Sequence, residues 1–197
     1  MKIIGITGSS GSGKSFISKI LLNKYYNVLI IDADKIAKQM SSIDTLYYKE
    51  IVNIFGKNII TEDLEINRVM LAEIIFSDDE KRQKLNSITF KYVVDEIKNI
   101  VKLNVDKNVI VIDAPLLFES NLDKICDITL GVVCNEHIKI DRICLRDKLS
   151  IKQAKDRLKV QLSDEDLKEK CDYIIENNSD IDCLNKQLEE ALFCISI

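Results

Sequence analysis

Residues Gly8-Ser9-Ser10-Gly11-Ser12-Gly13-Lys14-Ser15 stand just behind an apolar run, Lys2–Ile6, and open an amphipathic stretch, Lys14–Tyr25. They fill every fixed position of the phosphate-loop pattern Gly-x-x-x-x-Gly-Lys-Ser/Thr. The pattern has a physical basis. Glycines let the backbone curl until successive N–H groups face one anion, and a helix starting near Lys14 adds its positive end at the same point. Lys14 can reach the β- and γ-phosphates of a nucleoside triphosphate, and the Ser15 hydroxyl can ligand Mg2+. Gly8, Gly11, Ser12, Gly13, Lys14, Ser15 and the backbone N–H of Phe16 are therefore the candidate nucleotide-binding groups.

Short apolar runs recur at Lys2–Ile6, Val28–Ile31, Val109–Ile112, Ile128–Cys134 and Tyr173–Ile175. Each is nearly continuous, which predicts strands of a parallel sheet buried on both faces. Between them, Lys14–Tyr25 places Ile17, Ile20, Leu21 and Tyr25 on one helical stripe. The alternation argues for an α/β fold with right-handed crossovers. From Asp44 to Leu103 the alternation stops. Helical patterns over Tyr47–Phe55, Asn67–Phe76 and Asp79–Leu103 predict a helical insertion between the second and third strands. A second helical segment, Ser150–Cys171, is dense in charge.

A net charge of -4 over 197 residues suggests no nucleic-acid-binding surface. No stretch approaches the roughly 20 apolar residues of a membrane span. The N-terminus runs straight into the loop motif, so no signal peptide is expected. Cys126, Cys134, Cys144, Cys171, Cys183 and Cys194 form no Cys-x-x-Cys pair. The expectation is reduced, structural thiols in a cytoplasmic protein, with core packing the role for Cys183 and Cys194. His137, the lone histidine, is expected at the surface.

A phosphate cradle alone does not separate a switch from a kinase. A GTPase needs Asp-x-x-Gly and Asn-Lys-x-Asp. Here Asp113 leads to Ala114-Pro115-Leu116, and Asn185-Lys186 leads to Gln187-Leu188. The chain length, the helical insertion and the late charged helices suit a small-molecule kinase. Such an enzyme closes over its substrates because water competes as phosphoryl acceptor.

Four blocks in order resemble the dephospho-CoA kinase family. The first is Ile6-Thr7-Gly8 through Ser15. The second, Ile31-Asp32-Ala33-Asp34-Lys35-Ile36-Ala37-Lys38, is similar to the family's I-D-A-D-x-I-A-R. The third, Asp113-Ala114-Pro115-Leu116-Leu117-Phe118-Glu119, is close to D-x-P-L-L-F-E. The fourth runs from Arg142 and Arg146-Asp147 through Arg157 and Gln161 to Asp172-Tyr173-Ile174-Ile175 and Asn177-Asn178. The resemblance implies ATP-dependent, Mg2+-assisted phosphorylation of the ribose 3'-hydroxyl of dephospho-CoA. It implies one P-loop kinase domain over 1–197, with a five-stranded parallel sheet between helices. Its core would be 1–43, 104–147 and 172–197, its helical substrate insertion 44–103, and its helical lid 148–171. The implied partners are ATP and dephospho-CoA, with no nucleic acid or membrane, in a monomer or weak homo-oligomer.

By residue type, Asp34 can either cap the helix Lys35–Met40 or orient an acceptor hydroxyl and take its proton. The resemblance implies the general base, and Asp32 is expected to be structural. Asp113, at the end of Val-Ile-Val-Ile-Asp, is either a ligand near the Mg2+ water shell or a strand-end turn residue. Leu116-Leu117-Phe118 either wall the acceptor pocket or belong to the core. Arg142 and Arg146 share a helix face and suit bidentate contacts to phosphate oxygens. The resemblance places Arg146 at the base of the lid, stabilising charge on the transferring group, with Lys14 and Asp34 completing the catalytic set. Arg157 either contacts phosphate or lies on a solvated helix face. Three departures stand out: Phe90-Lys91 where the family has His-Pro, Phe16 where it commonly has Thr, and Lys38 where it has Arg. The rival readings are a nucleoside or nucleotide kinase of the same fold, and a non-catalytic nucleotide-binding regulator.

Overall fold

The computed structural model describes residues 1–178 and 180–193. Chain order is β1 (Lys2–Thr7), α1 (Lys14–Lys24), β2 (Val28–Asp32), α2 (Ala33–Met40), α3 (Leu46–Phe55), α4 (Arg68–Ser77) and α5 (Asp79–Leu103). There follow β3 (Val109–Asp113), β4 (Ile128–Val133), α6 (Glu136–Asp147), α7 (Ile151–Lys159), α8 (Asp164–Lys170), β5 (Tyr173–Glu176) and α9 (Ile181–Phe193). The strands form one sheet in the order β2-β3-β1-β4-β5. Parallel pairing sets Ile6 beside Asp113 and Thr7 beside Gly131, so the loop after β1 leaves the sheet's centre between two paired neighbours.

Two compact units divide the chain: residues 1–31 with 105–197, and residues 32–104. In the first, β1, β3 and β4 bury nearly every residue. β2 and β5, at the edges, are mostly half-buried, against the expectation of burial on both faces, because an edge strand has a neighbour on one side only. One core cluster joins Ile17 and Leu21 of α1 to Ile4 and Ile6, to Leu130 and Val132, and to Leu184, Leu188 and Leu192 of α9. Helices α1 and α9 thus share this core. Each fully buried Leu or Ile contributes about 1.5–3 kcal/mol. A Cβ at Gly5 would lie 2.8 Å from Cys126 Sγ, and one at Gly131 would lie 2.9 Å from Cys171 Sγ. These thiols fill the space that two strand glycines leave, and burial pushes both up to about 12. They are structural, as expected. Cys183 is not: it is exposed, and Cys194, like the end of the expected core segment 172–197, lies outside the described residues.

The expected helical segment 150–171 consists of two helices, α7 and α8. Ser163 accepts a hydrogen bond from the Asp166 N–H while the Asp166 carboxylate accepts one from the Ser163 N–H, and Ser150 forms the same kind of box with Gln153. A capping box starts a helix, so Ser163-Asp164-Glu165-Asp166 marks a restart. The Asp172 carboxylate ties the next strand in, accepting from the Thr129 N–H (2.8 Å) and hydroxyl (2.7 Å).

The second unit has its own core, in which Tyr47, Tyr48, Ile51 and Phe55 of α3 meet Leu71 and Ile88. Three expected helices are present there, shifted by at most one residue at each end. No helix among the described residues is long and apolar enough to cross a membrane.

Removing the Asp172 carboxylate strands the buried Thr129 N–H. Asp172→Ala is expected to lower unfolding free energy by about 2–3 kcal/mol, read by urea denaturation at unchanged slope. A change below about 0.5 kcal/mol would deny the carboxylate its part in joining β4 to β5.

Candidate active site

β1 delivers the loop, and the loop's shape is set by what cannot be added to it. Gly8 has φ 152°, and a Cβ there would lie 2.4 Å from the Val132 carbonyl oxygen. Gly13 takes the left-handed conformation (φ 104°) and precedes α1 with no side-chain cap. The start of α1 is therefore open to an anion. The Ser12 hydroxyl is buried without a partner among the described residues, as is that of Ser9. A buried hydroxyl in that condition costs free energy unless something fills its valence, and an anion seated in the loop can do so for Ser12.

The Lys14 ammonium donates to the Gly8 carbonyl at 2.7 Å, spanning the loop it serves. The Phe16 N–H, a candidate donor from sequence, closes the first helical turn on the Gly13 carbonyl at 2.9 Å. Ser15 is exposed at the head of α1. One turn on, the buried Ser18 hydroxyl lies 3.1 Å from Asp113 Oδ2. Residues three apart share a helix side, so Ser15 and Asp113 come to the same side of α1. Their donors are oxygen only, the set that Mg2+ prefers. Among the described residues no three His, Cys, Asp or Glu side chains converge as a metal site. A metal here would draw the rest of its shell from phosphate and water. Ser18 was not singled out in the sequence, although a serine between Ile17 and Leu21, one turn after Ser15, is a legible signal.

Outside the loop, side chains hold the carbonyls. Arg142 donates to Gly11 O (3.0 Å) and Ser12 O (3.3 Å), and Asn177 donates to Ser12 O (2.7 Å). In a trans peptide the C=O and N–H point opposite ways. Drawing the Ser12 carbonyl outward therefore turns the Gly13 N–H inward. The two arginines expected to act on one face have separate engagements. Arg146 forks onto Asp147 (2.8 and 2.9 Å), which Arg157 also reaches at 2.7 Å. The Arg146 hydrogen bond, with the charges of both arginines, holds the Asp147 carboxyl below the usual carboxylate range.

In the second unit, Asp32 rather than Asp34 caps α2, accepting from the Lys35 N–H at 2.9 Å. Asp34 sits exposed in the first turn, and Lys38 is exposed in the last. Phe90 and Lys91 lie within an unbroken α5. Lys91 donates to Glu50 of α3 at 3.0 Å and Tyr92 does so at 2.7 Å, which lowers the Glu50 carboxyl, chiefly through Tyr92. Tyr47 OH lies 3.0 Å from the Thr89 hydroxyl, next to the substituted pair.

A glycine-built phosphate cradle at the end of the central strand of a parallel 2-3-1-4-5 sheet defines a P-loop kinase. A family model described as dephospho-CoA kinase matches residues 2–182, and the chain belongs to that family. It is 42% identical over 195 residues to a dephospho-CoA kinase of Fusobacterium nucleatum, covering 99% of this chain and 98% of the relative. Among solved structures, a Thermus thermophilus protein superposes with TM-score 0.80 at 26% identity, over 98% of this chain and 96% of the other. A dephospho-CoA kinase of Campylobacter jejuni does so with TM-score 0.65 at 28% identity, over 100% and 98%.

Gly8→Ala puts a Cβ into the Val132 carbonyl. It is expected to raise the ATP dissociation constant at least about tenfold by calorimetry, the effect of roughly 1.4 kcal/mol. Unchanged affinity would show that the loop accepts a side chain at this position.

Proposed function

We propose that this enzyme transfers the γ-phosphoryl group of ATP to the ribose 3'-hydroxyl of dephospho-CoA, giving coenzyme A. The observation that carries the donor half is the cradle: an open helix start, a Gly13 N–H turned inward, a buried unpartnered Ser12 hydroxyl and an ammonium laid across the loop. Family membership over residues 2–182 supports the acceptor. We place the reaction in the cytoplasm, in keeping with free thiols at Cys126, Cys134, Cys144 and Cys171.

Each residue has a stated task. Backbone N–H groups of the loop hold the β-phosphate, and Lys14 leaves the Gly8 carbonyl to bridge the β- and γ-phosphates. Ser15 and Asp113 are the residues that would hold Mg2+, which would supply positive charge against the phosphate oxygens. Asp34 orients the acceptor hydroxyl and takes its proton as the phosphoryl group leaves the donor. Arg146, at the base of the lid segment 148–171, shares its guanidinium with the transferring group. Asp147 keeps that guanidinium oriented until then.

The test is ADP release with dephospho-CoA, adenosine or water as acceptor. Stimulation by dephospho-CoA alone is expected; stimulation by adenosine would favour a nucleoside kinase whose pocket is remodelled at Phe90-Lys91. Asp34→Asn is expected to keep ATP affinity while turnover falls by about 100-fold or more, the usual worth of a general base. Lys14→Ala should lose productive ATP use. Near-normal turnover of Asp34→Asn would remove Asp34 from the role of base.

A further inference from the structure

The Ser10 N–H donates to Gln161 Oε1 at 2.8 Å, a bond that joins the crown of the phosphate loop to the turn between α7 and α8 across 151 positions of sequence. The carbonyl of the same peptide unit, Ser9 O, accepts from the Ser12 N–H at 3.1 Å. Both polar ends of the Ser9–Ser10 peptide are therefore engaged, and its plane cannot rotate without breaking one of them. Arg142 and Asn177 hold the Gly11 and Ser12 carbonyls, but only Gln161 reaches the loop from the lid segment among the hydrogen bonds described above.

Gln161 is itself well seated. Its own N–H closes the end of α7 on Leu158 O at 3.1 Å, and the Ser163 capping box begins α8 two residues later. Asp164, at the head of α8, pairs with Lys139 of α6 at 2.5 Å, and the Lys139 side chain is only 7% exposed. A buried ion pair of this kind fixes geometry, because separating it leaves an uncompensated charge. The turn therefore presents the Gln161 carbonyl oxygen to the loop from a fixed base. Lys139 also lies against the loop directly: a Cβ at Gly11 would be 2.6 Å from its carbonyl oxygen.

We infer that Gln161 is a positioning residue for the donor triphosphate: its side-chain carbonyl sets the Ser9–Ser10 peptide and so preorganises the loop that receives the phosphates. The inference rests on the cradle being the ATP site, but not on the identity of the acceptor. Without the acceptor oxygen, only the Ser12 N–H on the Ser9 carbonyl still holds that peptide, and nucleotide binding must first restore the loop. The cost falls on ATP affinity and spares turnover once both substrates are bound.

The experiment is calorimetric titration of Mg-ATP into wild type, Gln161→Met and Gln161→Glu, with unfolding midpoints and steady-state kinetics alongside. Gln161→Met keeps the length of the side chain and removes the acceptor. Its ATP dissociation constant is expected to rise about fivefold, the worth of one net hydrogen bond. Turnover should stay within about twofold, with an unchanged KM for the phosphoryl acceptor. Gln161→Glu keeps an acceptor oxygen but brings a negative charge toward the triphosphate. Its affinity relative to wild type should recover in about 0.5 M salt, where such repulsion is screened, while that of Gln161→Met should not. Unchanged ATP affinity in Gln161→Met, or a deficit in Gln161→Glu that salt leaves intact, overturns the inference alone. So does a loss in either variant that merely follows a fall in unfolding midpoint. Wild-type protein that fails to bind ATP overturns both this inference and the donor assignment beneath it.

Discussion

A Cβ at Gly8 would sit 2.4 Å from the backbone carbonyl of Val132, and nothing in the sheet can yield to make room, because β1 and β4 are paired through Thr7 and Gly131. The chain leaving β1 must therefore pass close over the end of β4, and it does so with φ values that suit glycine at Gly8 and Gly13. That close passage is the constraint on which the site depends. It places the loop crown within reach of α6 and the α7–α8 turn, and it leaves α1 beginning at Lys14 with an open N-terminus. The loop is then held from outside, by Arg142 and Asn177 on carbonyls and Gln161 on an N–H. What remains is a set of donors with the buried hydroxyls of Ser9 and Ser12, arranged before any anion arrives. Donors fixed in advance need not be reorganised when charge develops, which is the economical way to stabilise phosphoryl transfer.

Charge is handled the same way around α6, α7 and α8. Asp147 gathers Arg146 and Arg157, and Asp164 neutralises the buried Lys139. These pairings orient the cations by local carboxylates in a protein whose net charge is -4. The helical unit 32–104 follows a different logic, with an aromatic core in which Tyr47 meets a hydroxyl, Tyr48 a backbone carbonyl and Tyr92 a carboxylate. There, Lys91 takes up Glu50 at the position where a proline would have interrupted α5.

Much of this was legible in the sequence. Gly8–Ser15 specified the cradle, the five apolar runs marked the strands, and the break in alternation after Asp44 marked the helices α3, α4 and α5. The misses have physical causes. Apolar content alone does not tell a central strand from an edge strand, since burial depends on neighbours that only the sheet order supplies; hence β2 and β5. The expected role of Arg142 rested on helical spacing, which gives a shared face but not a partner, and the partners are loop carbonyls. Asp32 is not among the misses: expected to be structural, it caps α2, whose start at Ala33 leaves Asp34 in the first turn. The restart at Ser163 is encoded by Ser-x-x-Asp, and α9 by the spacing of Leu184, Leu188, Ala191 and Leu192. Gln161 on Ser10 is a contact across most of the chain, and no local pattern encodes it.

The central claim is that the cradle presents the γ-phosphoryl group of ATP to one particular hydroxyl. Phosphorus NMR of the product formed from ATP and dephospho-CoA tests it most directly. The account predicts a new phosphomonoester resonance coupled to the ribose H3' proton, in equal amount to the ADP formed. Coupling to a different ribose proton, or inorganic phosphate as the sole phosphorylated product, would contradict it.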